Sequence, residues 1–234
     1  MTVAAIILSA TPEGAVRPVE GRPLVRRLVD AAWSGGAVPV VVVAADPDGA
    51  VAAALAGAPV TIAEPAPQEG GPVAQICHGI DVAAAEVRET DAALIWPARL
   101  AWVDPETLTS LIEAHGITAG ELLRPSYDGE AGWPALLPLE HLETLRGLGP
   151  QRMPDELLAD LAAAGVPTRT IDVGDPGVRH DVSVAREDLP PYVGPPGPAG
   201  GHAHEWGSLA AETRDDAPLE GPGVATREPG EAGR

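Results

Sequence analysis

Arg99 lies between Trp96 and Trp102, and it is the kind of residue that could hold an anion: its planar fork can bind phosphate or carboxylate through two hydrogen bonds. Exposure at the surface, or pairing with a nearby acid such as Asp104, accounts for it equally well. Arg17 is the one cation in the stretch Ser9–Pro18, placed either to touch phosphate or to return to a helix surface. His180 precedes Asp181; a loop histidine near an acid is ordinary, and a general base is the lesser reading. His202-x-His204 followed by Glu205 can turn two imidazoles one way on an extended chain. No further His or Cys nearby completes a tetrahedral site. Cys77 and His78 are adjacent in a helical pattern, where neighbours point about 100° apart, so they make a poor nucleophile–base pair and Cys77 reads as a core residue. His115 reads as a cap near a helix C-terminus. No Gly-x-Ser-x-Gly elbow is present.

Composition narrows the partners. The 234 residues carry 34 acids against 15 bases, every base an arginine, for a formal net charge of −19. That balance argues against nucleic acid and anionic membrane surfaces, both of which select clustered cations. A single cysteine excludes an internal disulfide framework. No run approaches the roughly 18 apolar residues of a spanning helix, and the opening MTVAAIILSA lacks a basic leader, so a cytoplasmic protein is expected.

The elements that must position these groups alternate. Val3–Leu8, Val38–Val43, Val60–Ile62, Ala92–Trp96, a run near Leu122 and Thr168–Val173 read as strands. Pro134–Leu137 is a further apolar run. Gly21-Arg22-Pro23 opens a helix with Leu24, Val25, Leu28, Val29 and Ala32 on one face, closed by Gly35-Gly36. Further helices are expected over 48–56, 72–87, 139–145 and 155–164. Asp104-Pro105-Glu106 is a helix start, with an N-cap, proline at the first position and an acid in the first turn. Alternation of this kind implies an α/β fold with a mostly parallel sheet covered by helices on both faces. Residues 1–189 form the expected domain. Residues 190–234, with 8 Pro and 9 Gly in 45 positions, read as a largely flexible tail. Within it, His202–Trp206 is either a docking element for a protein partner or plain linker.

In order and spacing, residues 3–189 resemble the MobA-like NTP transferases, the molybdenum-cofactor cytidylyl- and guanylyltransferases and their relatives. The resemblance rests on Gly21-Arg22-Pro23-Leu24-Val25, Val40–Val43, Val103–Leu108, Arg124–Gly129 running into Gly132-Trp133-Pro134, Asp175–Val178 with Asp181-Val182, and Glu187–Leu189. It implies a Rossmann-like nucleotidyltransferase fold, and Mg²⁺ with an NTP in an active member. It also shows departures. The family's Gly-rich phosphate loop corresponds to Ser9–Pro18, which is short and carries Glu13, and the family's lysine falls on Gly14. The family's metal-binding Asp falls on Arg99 and the following Pro on Ala101. Asp181 matches a family carboxylate, but the second carboxylate or Asn two residues on is Ser183. Trp133 stands at the family's His. The resemblance thus implies a fold kept with its catalytic groups missing, suited to binding or assembly. Arg17, Arg99, Gly14 and Trp133 are the candidate ligand-binding residues, and Asp181 is the surviving candidate for catalysis or metal. Arg99 in particular could supply a fixed positive charge where the metal would sit. The alternative is an active enzyme that uses Arg17 and Arg99 on phosphates and transfers a nucleotide from CTP or GTP to a phosphorylated acceptor. On this resemblance Trp96, Trp102 and Trp133 meet at the cleft, to stack a base, receive the tail or fill the space.

Overall fold

The computed structural model describes residues 2–195, except 10, 67 and 151. The chain begins with β1 (Thr2–Leu8), whose apolar run is buried from Val3 to Ile7. The short helix α1 (Pro12–Val16) and a two-residue hairpin, β2 (Pro18–Val19) with β3 (Arg22–Pro23), lead into α2 (Leu24–Ser34). The buried residues of α2 are Leu24, Val25, Leu28, Val29 and Ala32, as the spacing requires. After Gly35 and Gly36 come β4 (Val40–Val43), α3 (Ala50–Ala54) and β5 (Thr61–Ala63). Helix α4 (Gly71–Glu86) precedes β6 (Thr90–Pro97). Asp104 caps α5 (Pro105–Ile117), accepting the Glu106 N–H on its side chain at 3.0 Å. The rest is β7 (Leu122–Tyr127), β8 (Glu130–Ala131), β9 (Ala135–Pro138), α6 (Leu142–Arg146), α7 (Pro154–Ala163) and β10 (Thr168–Asp172).

The main sheet runs β10-β7-β9-β6-β1-β4-β5, with β8 paired to β7. β1 is parallel to both β4 and β6, β5 is parallel to β4, and β10 to β7. β9 departs from the parallel pattern: it lies antiparallel between β6 and β7. The apolar run Pro134–Leu137 therefore becomes a strand, but a reversed one. The expected helix over 139–145 is split into a 3₁₀ turn at Leu139–His141 and then α6. Central strands buried on both faces require a helical layer on each side. α4 packs on β1 and β4 so closely that Gly79 faces the Ile6 and Val43 side chains directly.

From β1 the chain builds outward through β4 and β5, then returns to the other side of β1 as β6. The strand order reverses there, and the crevice beyond the carboxyl ends of such strands is where α/β sheets place ligands. Leu8 pairs with Pro97 at that edge, and the Ala98 N–H reaches the Leu8 carbonyl at 2.9 Å. Residues 190–195 pack on the domain: the Tyr192 hydroxyl donates to Glu106 Oε2 at 2.8 Å and the Val193 N–H to the Gly174 carbonyl at 3.1 Å. The His202–Trp206 segment lies outside the described residues. No helix among the described residues is long and apolar enough to cross a membrane.

Candidate functional site

Arg99 leaves the carboxyl end of β6 at the reversal point, exposed. Nine of the twelve arginines among the described residues have a carboxylate within 4.0 Å: residues 22, 26, 27, 124, 146, 152, 169, 179 and 186. Arg17, Arg88 and Arg99 have none among those residues. In so acidic a chain, Arg99 is thus an exposed arginine at the carboxyl edge of the sheet with no carboxylate within 4.0 Å among the described residues. The expected alternative, pairing with Asp104, is not formed at that distance.

The segment after β10 carries the opposing wall. Asp175 is 2% exposed and anchors it. Its carboxylate accepts the Asp104 N–H at 2.8 Å, the Thr107 hydroxyl at 2.7 Å and the Gly177 N–H at 2.8 Å, tying the start of α5 to the loop. Burial outweighs those bonds and raises its pKa. Gly177 meets the Trp102 carbonyl so closely that any Cβ there would collide with it. Further on, the Val182 N–H donates to the Arg99 carbonyl at 2.9 Å, and the Trp102 indole donates to the Asp181 and Val184 carbonyls at 3.2 and 3.0 Å. These bonds set Asp181 beside Arg99. Hydrogen bonds from the Ser183 hydroxyl and N–H, followed by the charges of Arg99 and Arg17, hold the Asp181 carboxyl below the usual carboxylate range. Asp181 is therefore an anion at neutral pH. His180 is held by the Pro176 carbonyl, 2.7 Å from its Nδ1.

Two clefts flank this segment. One, of about 270 Å³, is lined by Arg99, Arg124, Arg179, Trp133, Asp155 and Asp181, among others. Its back wall is cross-braced. The buried Trp133 indole donates to Asp155 Oδ1 at 3.0 Å, and Arg124 lies 5.6 Å from the Trp133 ring centroid. Arg124 also donates to the Gly132 carbonyl at 3.2 Å and reaches Asp155 at 3.4 Å. Burial lowers the Arg124 pKa, yet a guanidinium stays charged. The other cleft, of about 520 Å³, is lined by Arg17, Glu20, Trp102, Val182, Arg186 and Glu187, with flanking residues. Arg27 covers the Trp102 ring at 4.9 Å and pairs with Glu20.

Of the residues singled out from sequence, Arg99, Trp133 and Asp181 come together in the smaller cleft. Arg17 lies in the adjoining one, its guanidinium 3.5 Å from the Val182 carbonyl. Gly14 lines neither. Its N–H donates at 3.0 Å to the Thr11 side chain, which caps α1, so the stretch that corresponds to the family's phosphate loop holds a short capped helix with that amide already occupied. Trp96 is wholly buried and bonds the Leu100 carbonyl at 2.9 Å, while Trp102 and Trp133 floor the two clefts. All three fill space rather than offer an open face for stacking. Both ring nitrogens of His115 are buried without a hydrogen-bond partner, so it is not the expected cap. Sequence reasoning gave no chemical role to Arg124, Asp155, Arg179 or Asp175; a charged residue directly after the apolar pair Leu122-Leu123 in β7 was the available signal for Arg124.

A divalent metal does not fit this arrangement. Mg²⁺ is usually held by one or two carboxylates together with substrate phosphates, and of the two carboxylates in the smaller cleft Asp155 is already engaged by Trp133 and Arg124. Asp181 already gives one oxygen to Ser183 and stands among arginines that would repel a cation.

The MobA-like NTP transferase domain model matches residues 14–167. No curated protein matches the chain. Among solved structures, a nucleotidyl transferase from Methanothermobacter thermautotroptrophicus superposes with a TM-score of 0.61 at 19% identity, over 73% of this chain and 87% of that one. A 4-diphosphocytidyl-2C-methyl-D-erythritol synthase superposes at 0.60 and 18% identity, over 80% and 94%. A Mycobacterium tuberculosis H37Rv protein solved with manganese superposes at 0.56 and 20%, over 74% and 88%. At such identities these likenesses establish the fold alone.

Proposed function

This chain belongs to the MobA-like NTP transferase domain family, and on that premise we propose that it keeps the fold to bind an anionic ligand, without transferring nucleotides. The observation that carries this reading is Arg99: an exposed guanidinium stands just past the carboxyl end of β6, in one cleft with Asp181, at the position where the resemblance puts the family's metal-binding Asp. A fixed cation substitutes for the metal's charge on a bound anion, but it offers no coordination site to bridge phosphates and leaving group. Two further facts support it. The chain has no lysine to neutralise a triphosphate, and the Gly14 N–H is spent on Thr11.

The test is pyrophosphate release from CTP and GTP, with Mg²⁺ or Mn²⁺ and a panel of phosphorylated acceptors. No metal-dependent turnover is expected. Turnover abolished by Asp181→Asn would instead establish the opposite reading, an active transferase using Arg17 and Arg99 on phosphates. A cytoplasmic setting and a protein partner for His202–Trp206 belong to the same proposal. Truncation after Pro195 should abolish partner capture and leave anion binding unchanged; equal capture by the truncated chain would dispose of the tail's role.

A further inference from the structure

We propose that the cleft of about 270 Å³ beside Arg99 is a metal-independent site for a small molecule carrying one phosphate or carboxylate group. The inference rests on the binding reading above and adds to it the place, the size and the charge of the ligand. Three arginines and two aspartates line the cleft, Arg99, Arg124 and Arg179 against Asp155 and Asp181. Asp155 pairs with Arg124 and Glu130 with Arg179, so Arg99 is the lining arginine with no carboxylate within 4.0 Å among the described residues. One such cation suits a single anionic group.

The three cations differ in availability. Arg124 is committed to Gly132, Asp155 and the Trp133 ring, and serves as wall and background charge. Arg179 shares its charge with Glu130 at 3.4 Å and is 39% exposed. Arg99 has no carboxylate within 4.0 Å among the described residues, and its backbone is pinned by Val182. Its planar fork can present two parallel N–H donors to one oxyanion, with Arg179 closing from the side. Because Trp133 and Asp155 lock the back wall by a direct hydrogen bond, the cleft has a framework that does not depend on ligand. At about 270 Å³ the cleft is smaller than the roughly 300–1,000 Å³ of drug-sized ligand pockets, which suits a small ligand.

Isothermal titration of the full chain with glycerol phosphate, glycerate and uncharged glycerol, each with EDTA and with excess Mg²⁺, tests this. One or both anions should bind equally well in EDTA and Mg²⁺, and glycerol should not bind; which anion binds more tightly identifies the head group. Arg99→Ala should weaken binding about tenfold or more, the loss of a charge-assisted pair. Arg88→Ala removes the same charge from another exposed site and should stay within about twofold. Binding that requires Mg²⁺, equal losses in both variants, unchanged binding by Arg99→Ala, or no binding of either anion overturns the proposal. Metal-dependent release of pyrophosphate from CTP or GTP bears instead on the absence of transfer, so the two failures are distinct.

Discussion

Replacing Asp175 with Ala should damage the protein more than any change to the exposed arginines, because the carboxylate joins the two walls of the site. Its removal leaves the buried Gly177 N–H and Thr107 hydroxyl, and the half-buried Asp104 N–H, without that acceptor. Each orphaned buried donor costs about 1–3 kcal/mol. The Thr107 hydroxyl can turn back to a helix carbonyl, so the two amides dominate. The expected loss is about 3–5 kcal/mol, a melting temperature lower by roughly 6–20 °C at about 2–4 °C per kcal/mol for a chain of this size. Asp175→Asn keeps one acceptor but turns an amide N–H₂ toward existing donors, and should fall between Ala and wild type. The pH dependence has a definite sign. Burial raises the folded pKa of Asp175, so the stability linked to its proton is present below the unfolded value and is lost as pH rises through the folded one. The gap between wild type and Asp175→Asn should therefore be widest in acid and narrow toward neutral pH. Urea denaturation followed by circular dichroism across that range measures both. An Ala variant within about 1 kcal/mol of wild type would refute the assignment of Asp175 as a buried tie, and a gap that widens with pH would refute burial as the dominant influence on its proton.

Gly79→Ala should destabilise despite the helix propensity of alanine: a Cβ would meet the Ile6 side chain and lie 2.9 Å from Val43 Cγ2. Overpacking of about 1–3 kcal/mol opposes a propensity gain of about 1 kcal/mol, so a lower urea midpoint is expected, and a higher one would contradict this packing of α4 on the sheet. Carboxyl carbon NMR should show Asp181 titrating below the usual range, with Ser183→Ala moving it up, since Ser183 supplies the leading cause of the depression. Asp181 should thus add stability above its unfolded pKa and lose it as pH falls through the folded one. No change on Ser183→Ala would sink that view.

How far the sequence reveals the protein depends on how local the cause is. The buried face of α2 follows from 3.6-residue spacing and needs no knowledge of its neighbours. The start of α5 follows from Asp104-Pro105-Glu106 in the same way. The same signal occurs at Thr11-Pro12-Glu13, and there it produces α1; reading that stretch against a family phosphate loop hid the cap. The direction of β9 was not legible, because an apolar run specifies burial but not which neighbour it pairs with or how. Arg99, Trp133 and Asp181 were each nameable, yet their meeting depends on the Asp175 tie and the Val182–Arg99 bond, contacts between segments far apart in sequence. The Trp133–Asp155–Arg124 brace spans three separate elements, and no local pattern encodes it.

The central claim is that a fixed guanidinium has taken the metal's place at the carboxyl edge. Its most direct test is the melting temperature of the full chain with CTP, GTP, ATP and UTP, each in EDTA and in saturating Mg²⁺. Mg²⁺ should increase the shift for none of them. A shift that appears for one nucleotide only when Mg²⁺ is present would contradict it.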